Sequence, residues 1–423
     1  MDDTRLVDIA RLGADGDGVA DTAAGPLYVP FALPGESVRV AMEGEARARL
    51  LEVVRASGER IAPACRHFQA CGGCVAQHMS RSVYERWRAE TVREAFHHRG
   101  IEAQVLPLIA VPPGSRRRAF LGVERDGARV TIGFREEGCH TLVDMAECPV
   151  LAPEIVAALP RLREMARIAM ADRQGGRLLV SLIDHGLDIS FDNGRKDLSA
   201  DELARLAALA EAAGLMRLVV AGEPVVLRGP TLSTVGGVAV DVPPGLFVQA
   251  AAAAEQAIVD LALAAMPRKV RRIGDLFCGV GTLAFPLARH AEVAAFDSDR
   301  RAIAALTAAH KRTAGLRPIA ARTRDLFREP LSRKELEGFD MVVLDPPRAG
   351  ARAQCEALAR SSVPVVVAVS CNPATLARDA RILIDGGYEL GPVTPIDQFL
   401  LSAHVEAVAV LRRQPARASR RAT

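Results

Sequence analysis

The chain has 423 residues, with 54 basic and 51 acidic side chains, a formal net charge of +3 and 49% apolar content. That length exceeds one ordinary core, so two or three domains are expected. The small net charge does not by itself imply a nucleic-acid partner, and no uncharged apolar run of about 18 residues is present to span a membrane. Met1-Asp2-Asp3-Thr4-Arg5 lacks the basic and apolar regions of a secretory leader, so a cytoplasmic location is the expectation; a monomer is expected as well.

Charge is unevenly spread. Residues 1–58 carry ten acids against six arginines, whereas 59–125 carry eleven arginines against six acids. A basic stretch attracts phosphate backbones, although most such stretches are simply solvated faces.

In chain order, residues 1–58 alternate short β-rich runs (Val7–Ile9, Leu27–Phe31, Val38–Met42, Ala46–Val54) with Gly-rich turns, the pattern of a small antiparallel barrel. Cys65, Cys71 and Cys74 follow in a Cys-x5-Cys-x2-Cys arrangement. Three thiols in ten residues of a cytosolic chain indicate a metal rather than disulfides. Cys139 and Cys148 are the candidates for a fourth ligand, and the spacing admits tetrahedral zinc or a [4Fe–4S] cluster. A helix is predicted from about Ser82 to His98. Residues 118–240 mix strand-like segments (Phe120–Val123, Val130–Phe134, Arg177–Ile183, Leu187–Phe191) with one helix near Ala200–Ala213, an α+β pattern that Arg228–Val242 leads out of.

From about Gln249 the pattern becomes alternating helix and strand. Helices are predicted at Ala250–Met266, Leu283–Arg289 and Arg300–Ala314, and strands at Arg272–Phe277 and Glu292–Phe296. Further strands at 341–344, 363–369 and 405–411 complete a parallel, doubly wound sheet. The tail from Arg412 to Thr423 holds five arginines and no apolar cluster, so residues 413–423 are expected to be disordered.

The glycine turn Asp275-Leu-Phe277-Cys278-Gly279-Val-Gly281-Thr282 follows a strand and opens a helix. Such a turn lets backbone approach a ligand and presents free N–H groups, and alone it suits NAD, FAD or S-adenosylmethionine. An Asp four residues before the first Gly favours the last, a cationic ligand, and Asp297 after the next strand suits ribose hydroxyls. Chemistry gathers at other predicted strand ends. Cys371 follows Val363–Val369, Asp345-Pro346-Pro347-Arg348 follows Met341–Leu344, and His404-Val405-Glu406 enters the last apolar run. Ligands in open parallel sheets sit at strand carboxyl ends, so a thiol and an acid there suggest covalent chemistry. Taken singly, Cys371 reads more readily as a small buried hydrophobe and Glu406 as an edge-strand surface residue.

Together, Phe247-Val248-Gln249, Asp275–Thr282, Asp345–Gly350, Ser370-Cys371-Asn372-Pro373-Ala-Thr-Leu-Ala-Arg378-Asp379 and Asp397 through His404-Val405-Glu406 resemble the RNA uracil-C5 methyltransferase family over 245–412. Departures are mild: Asp297 stands where many members have Glu, and Phe399-Leu400-Leu401-Ser402 replaces Phe-Pro-x-Thr. The resemblance implies a Rossmann-like class I methyltransferase domain, with Cys371 as nucleophile, Glu406 as general base, and Gln249, Phe277, Asp297 and Asp345 contacting S-adenosylmethionine. It also implies a [4Fe–4S] cluster on Cys65, Cys71, Cys74 and Cys148, the last through its Glu147-Cys148-Pro149 context. Asp15-Gly-Asp-Gly-Val19 and Ala32-Leu-Pro34-Gly35-Glu36 resemble a TRAM-type RNA-binding barrel. The implied organisation is a barrel at 1–58, an α+β iron–sulfur domain at 59–244, the methyltransferase domain at 245–412 and a basic tail at 413–423. The implied substrate is RNA, with 23S rRNA favoured because transfer-RNA members generally lack the barrel and the cysteines. The alternatives are a tRNA uridine methyltransferase and an NAD- or FAD-dependent oxidoreductase with a structural iron–sulfur site.

Overall fold

The computed structural model of the protein describes residues 4–414. Six strands open the chain: β1 (Thr4–Asp8), β2 (Arg11–Leu12), β3 (Gly18–Thr22), β4 (Gly25–Val29), β5 (Ser37–Met42) and β6 (Ala48–Arg55). They form two three-stranded sheets, ordered β1-β5-β6 and β2-β3-β4, linked by a bridge between Tyr28 and Arg47. Period-2 alternation turns Val38 and Val40 inward to meet Leu27 and Val29 in one small core.

The helix α1 (Arg81–His97) starts where the Ser80 hydroxyl accepts the Val83 N–H. Its Val92 and Phe96 pack in the core of the C-terminal sheet, and Val105 and Ile109 bridge to that sheet's edge at Val393 and Ile396.

The middle of the chain folds as a six-stranded sheet. Its strands are β7 (Arg118–Asp126), β8 (Arg129–Gly133), β9 (Gln174–Ile183), β10 (Gly186–Phe191), β11 (Leu215–Val220) and β12 (Glu223–Leu227), ordered β12-β11-β10-β9-β7-β8. Two helices accompany it, α2 (Pro153–Ala169) and α3 (Ala200–Ala212). Only β10 and β11 pair in parallel, and the α3 crossover between them makes that possible. The single helix expected here is a shortfall. Pro153 and Pro160 punctuate α2, yet its buried Ile155, Leu159, Leu162, Met165 and Ala166 keep helical spacing. Pro153 is at home in a first turn, and the buried stripe outweighs the loss at Pro160. The hairpin β13 (Leu232–Val235) and β14 (Val238–Asp241) leads out of this part.

The C-terminal part comprises α4 (Ala252–Ala264), β15 (Arg272–Leu276), α5 (Ala284–Ala288), β16 (Glu292–Asp297), α6 (Arg300–Arg312), β17 (Ile319–Thr323), α7 (Arg333–Leu336), β18 (Met341–Leu344), α8 (Arg352–Ala359), β19 (Val365–Ser370), α9 (Pro373–Asp385), β20 (Tyr388–Ile396) and β21 (Glu406–Arg413). The seven strands order as β17-β16-β15-β18-β19-β21-β20, with apolar cores on both faces. Winding reverses between β15 and β18, which opens the crevice where ligands bind in such sheets.

Two expectations are corrected here. The sheet is mixed, not parallel throughout, because β21 runs antiparallel to both β19 and β20. Nine residues (397–405) separate β20 from β21, too few for a parallel crossover. The tail expectation fails at its start, where Arg413 pairs with Tyr388 in β21; residues 415–423 lie outside the described residues. Among the described residues no helix is long and apolar enough to cross a membrane.

Candidate active site

The glycine turn comes directly off β15. Phe277 holds a left-handed φ of +64°, a strained conformation for a bulky residue, and Gly279 follows at +53°. Gly281 has a φ of +110°, and a Cβ there would meet the Phe285 ring at 2.5 Å, so only glycine fits. Asp297 at the end of β16 fixes the turn, its Oδ2 accepting the Gly279 N–H at 2.9 Å and its Oδ1 the Asp299 N–H at 2.8 Å. Each carboxylate oxygen keeps accepting capacity beyond these bonds.

Asp275, on β15, is fully buried, and neither of its oxygens has a hydrogen bond of normal geometry among the described residues. Burial, reinforced by Asp345 and Asp297, pushes its pKa well above the carboxylate range. A cation arriving beside it would supply the missing partner.

The nucleophile candidate sits one residue beyond β19. Ser370 Oγ accepts the Asn372 N–H at 3.1 Å, the Asn372 side chain caps α9 through the Ala374 N–H, and Pro373 occupies the first helical turn. Cys371 is thereby held at the strand end. The antiparallel register sets Ser370 opposite Ala407, which brings the neighbouring Glu406 to the same edge. A parallel strand would have carried Glu406 to the opposite end of the sheet.

Cys371, Glu406, Gln249, Phe277, Asp297 and Asp345 all line one pocket of about 480 Å³. Every cofactor and catalytic residue expected from the sequence is therefore brought together. Burial, then Glu406 and Asp345, push the Cys371 thiol up to about 11, opposed by Arg348. Glu406 is only 3% exposed, and burial with the Asp345 charge drives its pKa well upward. Burial raises Asp345 to about 6, against the pull of a hydrogen bond from Gln249.

Sequence reasoning missed Gln398. Its Nε2 donates to Glu406 Oε2 and to Gln249 Oε1, each at 2.8 Å, while Gln249 Nε2 donates to Asp345 Oδ2 at 2.8 Å. Nothing in the spacing marks Gln398; only its place beside Asp397 and Phe399 in the quoted motif could have drawn notice. Phe327 was also missed, and its ring meets Phe277 at 5.4 Å to form an apolar wall.

A second cavity, of about 50 Å³, is lined by Cys65, Cys71, Cys74 and Cys148. Cys139 is absent from the lining, exposed, with its Sγ 3.1 Å from Glu136 Oε2. Burial pushes Cys74 up to about 12 and raises Cys71 and Cys148, and the other thiolate charges add to each. Among the described residues no three His, Cys, Asp or Glu side chains are gathered closely enough to hold a metal ion. The loop after Cys74 meets the β20–β21 connection: the Val75 and Ala76 N–H groups donate to the Leu401 carbonyl, and the Leu401 N–H donates to Tyr84 Oη at 2.9 Å.

Comparison with known proteins matches residues 240–414 to the tRNA (Uracil-5-)-methyltransferase family. The chain is 46% identical over 410 residues to a Brucella suis protein described as an uncharacterized RNA methyltransferase, covering 97% of this chain and 98% of that one. It is 34% identical to the 23S rRNA (uracil(1939)-C(5))-methyltransferase RlmD of Halomonas elongata, covering 95% and 88%. Among solved structures, the Pyrococcus abyssi tRNA (uracil-54, C5)-methyltransferase in complex with S-adenosyl-L-homocysteine shares the fold. Its TM-score is 0.75 over 96% of this chain and 100% of that one, at 24% identity. Relatives that match along nearly their whole length agree with the pocket's contents: the chain belongs to the family of S-adenosylmethionine-dependent RNA (uracil-C5) methyltransferases.

Proposed function

We propose that this protein methylates C5 of a specific uridine in 23S rRNA through a covalent adduct between Cys371 and C6 of the base. The observation that carries the reading is the meeting of Cys371 and Glu406 at adjacent strand ends, in the pocket that also holds the glycine turn. C5 of uracil is a poor nucleophile. Once the Cys371 thiol has given its proton to solvent, addition of the thiolate to C6 shifts the C5–C6 π electrons and makes C5 an enolate carbon able to accept a methyl group. S-adenosylmethionine, when bound, supplies that methyl as an electrophile. Glu406 then takes the C5 proton, the C6–S bond breaks, and the thiolate leaves. The target base leaves its stack to reach Cys371.

Support for the cofactor comes from the pocket's own residues. Asp275 is a buried acid without a hydrogen bond of normal geometry, suited to a cationic ligand, Asp297 retains accepting capacity for ribose hydroxyls, and Phe277 with Phe327 offers a wall for a flat ring. Gln249 and Asp345 complete the cofactor side.

Four cysteines around one cavity are the donor set of a [4Fe–4S] cluster, with Cys148 rather than Cys139 as the fourth. The metal would have to draw the thiols together. When bound, the cluster would brace the loop that holds Leu401. The same reading divides the chain into a TRAM-like RNA-binding module at 1–58, the iron–sulfur domain at 59–244 and the methyltransferase domain at 245–412, acting as a cytoplasmic monomer. Ribosomal RNA is preferred to transfer RNA because of the 34% identical relative named for 23S rRNA. Mapping 5-methyluridine in both RNAs, with and without the gene, tests the choice. Loss from 23S rRNA is expected, and loss from transfer RNA alone reverses it.

A further inference from the structure

We propose that Gln398 is the positioning residue of the base: its amide holds one oxygen of Glu406, turns the other toward the substrate, and ties the base through Gln249 to Asp345. This rests on the uridine-methylation reading above. The hydrogen bonds form one directional chain. Gln249 gives its N–H to Asp345 Oδ2, which leaves Gln249 Oε1 as the acceptor facing Gln398. Gln398 Nε2 has two protons and uses one for Gln249 Oε1 and one for Glu406 Oε2. Turning either amide over would set a carbonyl against a carboxylate, so the acids at the two ends fix the polarity of both amides.

What is left over points the same way. Two oxygens of this hydrogen-bonded chain, Glu406 Oε1 and Gln398 Oε1, are buried with no partner among the described residues, and of the two only the carboxylate oxygen can serve as a base; Glu406 lines the pocket. One oxygen is anchored and the other is free, the arrangement wanted of a carboxylate that must take a proton from a fixed direction. Gln398 is itself only 3% exposed. It is carried in by the short β20–β21 connection, because Ile396 pairs with Glu406 and Gln398 lies two residues on.

The groups that share the pocket with Glu406 are mostly acids. From β15 and the turn after it come Asp275 and Cys278, from the end of β16 and just beyond it Asp297 and Asp299, from the segment after β17 Asp325, from just beyond β18 Asp345 and Arg348, and from just beyond β19 Cys371. Against burial and the Asp345 charge, the Gln398 hydrogen bond is what favours the ionised base. Losing it moves the titration of Glu406 to higher pH.

The test uses the full-length protein and Gln398→Met, which keeps the side chain's length and removes its donors, alongside Gln398→Asn, which keeps a shorter amide. S-adenosylhomocysteine should raise the melting temperature of both variants as it does that of the wild type, which reports an intact cofactor half. With RNA and S-adenosylmethionine, Gln398→Met should form the methylated protein–RNA adduct but resolve it about tenfold more slowly. The pH limb of resolution should move up by about one unit, with Gln398→Asn in between. Resolution at the wild-type rate with an unmoved limb overturns the proposal. If Glu406→Gln, which cannot resolve an adduct, formed none with RNA, the uridine-methylation reading itself would fall instead.

Discussion

The Cys371 thiol should be nearly inert in the free enzyme, and its reactivity should follow pH steeply. Burial is the largest cause of its upward shift to about 11, followed by the Glu406 and Asp345 charges, with Arg348 opposing. At pH 7.5 a thiol of that pKa is about one part in 3,000 thiolate, against roughly one in ten for a free cysteine. Alkylation of Cys371 by iodoacetamide, followed peptide by peptide with mass spectrometry to separate it from the seven other cysteines, should therefore rise about tenfold per pH unit from 7 to 10. Glu406→Gln removes one of the charges that disfavour the thiolate, so its curve should move down by about one unit. Arg348→Ala should move the curve up. A plateau below pH 9, or a Glu406→Gln curve lying on the wild-type one, would refute the electrostatic account of this site. On the proposed mechanism, the Cys371 proton would leave only as RNA fills the pocket and changes the thiol's surroundings.

Three further outcomes follow from the same geometry. Glu406→Gln keeps the Gln398 contact but cannot take the C5 proton, so denaturing gels should show it accumulating a methylated adduct with RNA, with turnover down roughly 10²–10⁴-fold; normal turnover would mean that another group is the base. Asp297→Ala loses both the clasp on Gly279 and a candidate ribose acceptor, so the melting-temperature rise with S-adenosylhomocysteine should shrink, and an unchanged rise would remove Asp297 from the cofactor site. Anaerobically purified protein should be brown, with absorbance near about 400 nm, lost in Cys148→Ser and kept in Cys139→Ser; colourless protein with stoichiometric zinc would contradict the cluster.

In the C-terminal part α4 to α6 and the strands β15, β16, β18, β19 and β21 were legible because their apolar runs are long and punctuated, whereas α7, α8 and α9 were not recognised. Asp275–Thr282 announced its turn, since Gly281 has no substitute at its φ of +110° against the Phe285 ring. The direction of β21 was not read, although the interval 397–405 forbids a crossover, because β20 was not recognised. Its residues Tyr388–Ile396 mix Pro395, Thr394 and Gly391 with apolar ones and bulge against β21 between Leu390 and Val393. That omission also hid why Glu406 faces Cys371. β17 (Ile319–Thr323) escaped notice because an edge strand with a half-open face carries a weak apolar signal. Gln398 could not be found by pattern: its role arises from partners 149 and 8 residues away in sequence. The attachment of α1 to the C-terminal core is likewise a tertiary fact, decided by where Val92 and Phe96 find apolar partners.

The most direct test of the account is to supply isotopically labelled S-adenosylmethionine to the purified protein with unmodified 23S rRNA, then digest the RNA and locate the label by mass spectrometry. The account predicts label on C5 of a single uridine and none with Cys371→Ala. Label on a ribose oxygen or an exocyclic amine, or label on C5 that persists in Cys371→Ala, would contradict it.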